Sequence, residues 1–433
     1  MFDLSTTLNI NVSINDEFNI SNLIEAVLDC DVVKLVIHQI INKLNDIITL
    51  CLCGERYKHN KENYQYERRE KRNRKIITKA GEMNIQGNRI RDKETGEIFI
   101  PLFDVLGIEN HKNYQIDINW AAVDIATKST YRDTIYILKK FLKEIMSPAT
   151  VCRNVKELGQ KMKEFVMRKN KENKDKSDHF LADSTMSHSQ EKNKNKNNIK
   201  IVMTKNSHGE KILLSCAVNK SWKDVNTDIN NSNIVKSDAV LISDAEPGLI
   251  KCLACDDKEY QLDFIHFVRD IGYNLWKDNK LSLNERKEIL KEIEGIIYKM
   301  KNQIYKYEDN EDLLKEKINE CVDKLKKISK NLIELKCFNA SKFIKKHSNN
   351  IVTFAIVKTE GKDVPWNSNL IERLMGEIMK RCKHKWMRWT TEGQEAILYL
   401  ILTRYTNPQY YEEFKNEILQ TKNKQNIQIK ITT

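Results

Sequence analysis

The chain has 433 residues, which is enough for two or three domains with separate cores. Its 73 Lys and Arg residues against 61 Asp and Glu give a net charge of +12, which favours a nucleic-acid partner over an acidic small molecule. Abundant Lys, Asn and Ile are also typical of an AT-rich genome, so the charge alone assigns no function.

The N-terminal segment MFDLSTTLNINVSINDEFNI lacks the basic start and apolar core of a signal peptide, and no apolar run approaches the length of a membrane span. We therefore expect an intracellular, cytoplasmic protein whose ten cysteines are mostly buried thiols. Two close pairs, Cys51 with Cys53 and Cys252 with Cys255, lack a second pair at finger-like spacing. A structural zinc site is therefore disfavoured, although it stays open.

In chain order, the first predicted element is a helix over residues 18–52, whose apolar residues recur at helical spacing. A basic run at 68–75 and a short β section follow, with a turn at Lys93–Gly96 between two strands. Helices return at Trp120. We interpret residues 1–167 as a mainly helical N-terminal DNA-binding region with a small β section.

Residues 130–167 show two helical patterns, and the second begins with Ser147 as N-cap and Pro148 in the first turn. The apolar positions are expected to face each other, namely Ile135, Leu138, Leu142, Val151, Val155 and Leu158. Thr150, Arg153 and Asn154 are expected to point outward. Arg and Asn suit guanine and adenine edges, so the pair is compatible with a DNA-binding helix-turn-helix; an ordinary helical hairpin is the equal alternative.

Residues 168–178 are charged and lack apolar side chains, which predicts a linker. Five short apolar runs then predict a mixed five-stranded sheet with flanking helices over 179–280, and hence an α/β core. Residues 281–347 predict a charged helical hairpin inserted before the second part of the core, 348–410. A C-terminal tail, 411–433, completes the chain.

Two aspartates are predicted to lie where strands end. Asp183 follows Phe180–Ala182, and Asp244 follows Val240–Ser243. Glu372 lies in the first turn of a predicted helix, where an acid also complements the helix dipole. If the three acids converge at one sheet edge, their oxygens suit two Mg²⁺ or Mn²⁺ ions. Singly, each acid has an ordinary explanation in turn or helix-end chemistry.

The helix that begins near Glu372 becomes steadily more basic towards its end, and such a surface suits the phosphates of DNA. The candidate DNA-binding residues there are Arg373, Lys380, Arg381, Lys383, Lys385 and Arg388.

This order of elements resembles the RNase H-like core of DDE transposases. Asp263-Phe-Ile-His266 matches the [Cys/Asp]-x-x-His signature of Mutator-like transposases, and NSNLIERLMGEIMKR resembles their glutamate helix. The segments ITKAGEM, PLFDVLGI and SPATVCRNVKELG are similar to the N-terminal region of prokaryotic insertion-sequence transposases. The resemblance covers residues 55–405.

The resemblance implies that Asp183, Asp244 and Glu372 are the catalytic and metal-binding acids. Asp178 and Glu377 are the nearest rivals of the first and third. Asp263 and His266 are expected to support the site near the metals or the DNA without binding the metals themselves. A strand-ending aspartate that caps a helix is the plain alternative for this pair.

We therefore expect a DNA transposase that binds the terminal repeats of its element, cuts a strand with water and joins the freed 3′-hydroxyl to target DNA. Joining two ends implies a homodimer or larger assembly. The alternatives are an RNase H-like nuclease without strand transfer and a decayed or domesticated DNA-binding protein.

Overall fold

The computed structural model describes residues 32–54, 64–142, 146–254, 258–307, 309–383 and 387–419. The chain divides into two compact units, one of residues 1–154 with 417–433 and one of residues 155–416.

The first unit contains most of the N-terminal elements. In order these are α1 (Val32–Cys53), β1 (Tyr66–Thr78), β2 (Gly81–Asp92), β3 (Ile98–Phe99), α2 (Pro101–Val105), α3 (Ile116–Ala126), α4 (Tyr131–Leu142) and α5 (Pro148–Glu172), which continues into the second unit.

The three strands of the first unit form an antiparallel sheet in the order β1-β2-β3. Helix α1 packs on it: Asn45 accepts a hydrogen bond from the Asn88 backbone N–H (3.1 Å), and the Asn88 amide donates to Thr49 Oγ1 (2.7 Å). The helix predicted over 18–52 is confirmed from residue 32 onward, and residues 18–31 lie outside the described residues.

The expectation that no segment has the length and apolarity of a membrane span is wrong for α1, which meets both conditions. A helix that lies on the core of a water-soluble protein can meet them as well. In α1 the buried residues Ile41, Asn45 and Thr49 lie on the side that meets the sheet, and 17% of the apolar window is buried.

The two helices expected at 130–167 are α4 and α5, and the Thr150 backbone N–H donates to Ser147 Oγ (3.1 Å) as the N-cap interpretation requires. The linker expected at 168–178 is wrong for most of its length, because α5 continues to Glu172 and the next strand begins at Ser177. Lys, Arg and Glu are good helix formers, and two residues of this segment gain tertiary partners. Asn170 donates to the Leu213 carbonyl (2.9 Å), and Lys169 pairs with Glu413 (2.7 Å).

The second unit begins with strands and ends with helices. Its elements after α5 are β4 (Ser177–His188), β5 (Lys196–Lys205), β6 (Lys211–Val218), α6 (Trp222–Ser232), β7 (Val235–Ser243), α7 (Pro247–Leu253), β8 (Tyr260–Leu262), α8 (Phe264–Asp278), α9 (Leu283–Lys306), α10 (Glu311–Glu334), α11 (Phe338–His347), α12 (Thr353–Ile356), α13 (Asn369–Cys382), α14 (Thr391–Thr406) and α15 (Pro408–Ile418).

Its five strands form one mixed sheet in the order β6-β5-β4-β7-β8. The pairs β4–β5 and β5–β6 are antiparallel, whereas β4–β7 and β7–β8 are parallel. This confirms the predicted α/β class and the mixed five-stranded sheet.

The inserted helices α9 and α10 form the predicted hairpin, and each buries an apolar stripe. The buried members are Ile293, Ile297, Met300, Ile304, Leu314, Ile318, Cys321, Leu325, Ile328 and Leu332. Their core is continuous with the side of the sheet that carries Phe180 and Leu241. The inserted helices therefore share a hydrophobic core with the five-stranded sheet.

Candidate metal centre

Three aspartates lie in equivalent register where the parallel pairing of β4, β7 and β8 ends. Leu181 pairs with Ile242 across β4 and β7, and Ser243 pairs with Leu262 across β7 and β8. Continuing that register places Asp183, Asp244 and Asp263 side by side. Neighbouring strands are about 4.8 Å apart, and residues in the same register point to the same face of a sheet.

Asp244 directly follows the last residue of β7, as predicted, but Asp183 does not lie at a strand end. Strand β4 continues to His188, because it stays paired with β5 from Leu181↔Met203 to His188↔Lys196. What ends near Asp183 is the parallel pairing with β7. Asp183 therefore lies where β4 loses one of its two neighbouring strands.

Glu372 reaches this edge from the first turn of α13. Ligand atoms of Asp263, His266 and Glu372 all lie within 4.8 Å of one another, and this is the group of His, Cys, Asp and Glu in the described part of the chain that could hold a metal ion. We use "acid cluster" for Asp183, Asp244, Asp263, His266 and Glu372. Cys51, Cys53 and Cys252 are not members, and Cys255 lies outside the described residues.

The charges of the acid cluster act on one another. Burial, together with the charges of Asp244 and Glu372, raises the pKa of Asp183 to about 6, against the opposing effects of the Ser184 N–H hydrogen bond and of His266. Burial also raises the pKa of Asp244, again against the effect of His266. Carboxyl groups that are buried among like charges bind a proton or a cation more strongly than exposed ones. Asp183 thus lies close enough to Asp244 and Glu372 to be affected by their charges. The side chains whose ligand atoms lie close enough to share one ion are instead Asp263, His266 and Glu372, so two residues expected only to support the site lie in ligand positions, whereas Asp183 and Asp244 are not part of that group.

Asp263 is fully buried, and each of its oxygens accepts a backbone hydrogen bond. Oδ1 accepts from the His266 N–H (2.8 Å) and caps α8, and Oδ2 accepts from the Ser368 N–H (2.6 Å) at the start of α13. One carboxylate therefore joins the end of β8 to the helix that carries Glu372. The capping alternative considered from the sequence is correct, and it coexists with a place inside the acid cluster.

His266 leaves one nitrogen without a hydrogen bond. Its Nδ1 is buried and lies 3.3 Å from Asp263 Oδ1 without donating to it or accepting from another group. An orphaned buried nitrogen beside carboxylates fits either a cation or a proton. The donor set around Asp183, Asp244 and Glu372 consists of carboxylates, which suit Mg²⁺ or Mn²⁺. The residues present therefore fit the divalent ions expected from the sequence.

Two further residues contact this edge and were not predicted. Glu246 accepts from Ser184 Oγ (3.2 Å) and from Trp222 Nε1 (2.8 Å), so it holds β4 next to the turn after Asp244. The Tyr260 hydroxyl donates to the Asp244 carbonyl (2.7 Å). The position of Glu246, two residues after Asp244 and directly before Pro247, could have identified it from the sequence. The sequence around Tyr260 could not have identified its role, because that role depends on strand pairing.

The rival acids lie elsewhere. Asp178 pairs with Lys236 (2.5 Å), and Glu377 pairs with Lys380 (2.8 Å) on the next turns of α13.

The candidate DNA-binding residues of α13 divide into exposed and buried ones. Arg373, Lys380 and Arg388 are exposed, and Lys383 Nζ donates to Thr185 Oγ1 (2.7 Å), two residues beyond Asp183. Arg381 is wrong as a DNA contact, because its side chain is buried against Met387 and its guanidinium lies 4.9 Å from the Trp389 ring centre. Lys385 lies outside the described residues.

Of the two candidate base-reading residues in α5, one is exposed. Arg153 points outward and its Nη2 donates to Thr150 Oγ1 (3.3 Å). Asn154 does not point outward as predicted: its amide donates to Asn119 Oδ1 (2.8 Å) and contacts Met146 Sδ. The helical pattern alone could not show that α3 provides an acceptor at this position.

The chain matches the model of a known family. The model of the family described as "Transposase, Mutator family" matches residues 10–411, which is nearly the whole chain and includes every member of the acid cluster. A search of curated proteins finds no match.

Proposed function

Because the chain belongs to the Mutator family of transposases, we propose that it is a metal-dependent DNA transposase whose reaction centre is the acid cluster. The observation that carries this proposal is the common register of Asp183, Asp244 and Asp263 at the edge that Glu372 reaches. The strand order and directions of the sheet support an RNase H-like identity for this core.

Asp183, Asp244 and Glu372 would hold two Mg²⁺ or Mn²⁺ ions. When bound, such ions stabilise the attacking and leaving oxygens of an in-line displacement at phosphorus. The protein supplies the geometry: β4 and β7 fix the two aspartates, and Asp263 fixes the start of α13 and hence Glu372. His266, with its orphaned nitrogen, lies where it can hold a proton or a ligand beside Glu372.

We propose that the same site performs two displacements in sequence. Water attacks a phosphodiester at the element end and leaves a 5′-phosphate and a free 3′-hydroxyl. This 3′-hydroxyl then attacks a phosphodiester of target DNA, joins the target 5′-phosphate and displaces the target 3′-hydroxyl. Neither step forms a bond between protein and DNA. Exposed cations beyond Glu372, namely Arg373, Lys380 and Arg388, would contact the DNA phosphates, and Lys383 lies beside β4 near Asp183.

The experiment uses the full chain, Mg²⁺ or Mn²⁺, and a supercoiled plasmid that carries the ends of the element. We expect nicks at the ends and joined products. Asp244→Asn should abolish both while end binding stays within about twofold, because the amide keeps the shape of the side chain and loses the charge that holds the cation.

The matched control is Asp238→Asn, an exposed acid on the same strand that pairs with Lys362. It should cut and join like the parent. Nicking without joined products would favour the nuclease alternative. End binding without any nicking by the parent would favour a decayed DNA-binding protein, and full activity of Asp244→Asn would place the reaction centre elsewhere.

A further inference from the structure

Helix α8 leads away from the acid cluster with an exposed face of unusual composition. It begins directly after Asp263, and its solvent-facing side carries Ile265, Arg269, Tyr273 and Trp276. These residues are spaced by four, four and three positions, so they share one face of the helix. We call them the α8 stripe.

The aromatic members of the α8 stripe are largely bare. Tyr273 is 60% and Trp276 61% exposed, and Ile265 is 45% exposed. The two rings lie 5.8 Å apart at an interplanar angle of 31°. Burying apolar surface lowers the free energy by about 25 cal/mol per Å². Two adjacent exposed rings therefore indicate a surface that is stabilised when a binding partner covers it.

The charge of this face favours a polyanion. In residues 264–280, all of which the structure describes, the exposed positions include Arg269, Lys277 and Lys280 and no acid. Asp270 and Asp278 are partly buried; the first pairs with Arg269 (3.1 Å), and the second accepts the N–H groups of Asn339 and Ala340 at the start of α11.

Aromatic rings interleaved with cations are the composition that binds single-stranded nucleic acid, because bases stack on the rings while cations meet the backbone. A second protein copy is the competing occupant, but lysine is depleted in the centres of protein interfaces, and here two lysines flank the rings.

We propose that the α8 stripe binds the unpaired DNA strand next to the reacting phosphate, with bases stacked on Tyr273 and Trp276. This inference rests on the proposed function for the position of the phosphate. The stripe starts one residue before His266 and extends about 16 Å along the helix axis at 1.5 Å per residue. A strand leaving the acid cluster along α8 would therefore meet Arg269 first and then the two rings.

The test measures DNA binding by the full chain in EDTA, where cleavage plays no part. The probes are a fluorescein-labelled oligothymidine, a blunt duplex of the same length, and an oligothymidine that carries 2-aminopurine. Replacing Tyr273 and Trp276 with Ala should weaken single-strand binding about tenfold or more, because each stacked base contributes a comparable factor. Duplex binding should stay within about twofold, and the 2-aminopurine signal should lose its stacking-dependent quench.

Two variants make the outcome specific. Trp276→Phe keeps a ring and should restore most of the single-strand affinity and the quench. Tyr305→Ala removes a ring that is 72% exposed on α9 and should bind like the parent. Unchanged single-strand binding by the double variant, or equal loss for Tyr305→Ala, would overturn the proposal.

Measuring the oligomeric state distinguishes a DNA-binding surface from an interface between two copies of the chain. If the double variant changes from a dimer to a monomer in light scattering and binds oligothymidine like the parent, the stripe is an interface between copies and the proposal is wrong. If the parent cuts no DNA but its single-strand binding depends on the two rings, the result supports DNA binding by the α8 stripe and contradicts the proposed function. A failure of this inference can therefore be distinguished from a failure of the proposed function.

Discussion

The carboxylate of Asp263 joins segments that are 105 residues apart in sequence. It accepts the N–H groups of His266 and Ser368, and both bonds are charge-assisted and shielded from water. The position of Glu372 depends on it, since Glu372 lies four residues after Ser368 on the same helix start. At the scale of single residues, this contact both stabilises the packing of α13 and fixes the position of a candidate catalytic acid.

We predict that Asp263→Asn weakens Mn²⁺ binding about tenfold or more. The amide can accept through one oxygen only, so one backbone N–H then faces an NH₂ group and the start of α13 shifts. Mn²⁺ titration followed by electron paramagnetic resonance measures the affinity. Asp278→Asn is the matched control, because Asp278 also accepts two backbone N–H groups but lies away from the acid cluster.

For Asp278→Asn we expect a loss of unfolding free energy of about 1–3 kcal/mol with unchanged Mn²⁺ affinity. If both variants lose stability and neither loses affinity, Asp263 is a structural cap only.

Asp183 makes the metal response depend on pH. Its pKa in the fold is about 6, above the ordinary value of 3.8, because of burial and the charges of Asp244 and Glu372. The raised pKa stabilises the fold at low pH, and this contribution is lost as the pH rises through 6. We predict that Mg²⁺ raises the melting temperature by several degrees well above pH 6 and hardly at all below pH 5.

Differential scanning fluorimetry with Mg²⁺ or EDTA measures this effect. Asp183→Asn should melt higher than the parent in EDTA above pH 6, since the buried charge is gone, and should lose the Mg²⁺ response. A response to Mg²⁺ that is equal at both pH values would show that Asp183 does not contribute to the metal site.

Single residues were predictable where their partners are close in sequence. Asp244 follows an apolar run and precedes a turn, and Glu372 stands in a first helical turn, so both could be identified from neighbours. Arg381 and Asn154 could not, because Trp389 and Asn119 come to them through tertiary packing. An amphipathic pattern predicts which face of a helix is buried. It does not predict which hydrogen-bond acceptor a neighbouring element places against that face.

At the scale of elements, α13 has two faces with separate tasks. Glu372 lies on the side that meets the sheet, Arg373 and Lys380 are exposed, and Arg381 is buried under Trp389. A helix that was predicted to become steadily more basic towards its end therefore carries exposed cations on one face and a buried one, Arg381, on another.

We predict that Arg381→Ala lowers the free energy of unfolding by about 2 kcal/mol or more, because a buried guanidinium and its stacking on Trp389 are lost. Lys380→Ala should change stability by less than about 0.5 kcal/mol and reduce the salt slope of DNA binding by about one phosphate contact. Urea denaturation and DNA titrations over a salt series measure the two effects. If Arg381→Ala instead lowers the salt slope and leaves stability unchanged, Arg381 contacts DNA and does not stabilise the core.

Helix α5 gives a matched pair of neighbours. We predict that Arg153→Ala lowers the preference for terminal-repeat over random DNA, at about 1–3 kcal/mol for a lost bidentate contact. Asn154→Ala should instead lower stability, because the Asn119 acceptor loses its donor. Competition between the two DNAs at fixed salt measures the preference. If Arg153→Ala retains the full preference, end recognition does not depend on α5.

At the scale of the whole molecule, the alternation of short apolar runs and helices was enough to predict the α/β class and the five-stranded sheet. The extent of α5 was not predictable, because composition cannot distinguish a charged helix from a charged linker when tertiary partners such as Glu413 decide. The common register of the three aspartates was not predictable either, since parallel pairing joins strands that are separated by other elements.

The contact between Asp263 and Ser368 spans the inserted helices, so the acid cluster is assembled from both ends of the second unit. During synthesis, residues 1–154 and the strands that carry Asp183 and Asp244 leave the ribosome before Glu372 has been translated. A nascent or prematurely terminated chain then has Asp183 and Asp244 but no glutamate opposite them. If the proposed function is correct, such a product would bind element ends without cutting them and would compete with the full chain for them.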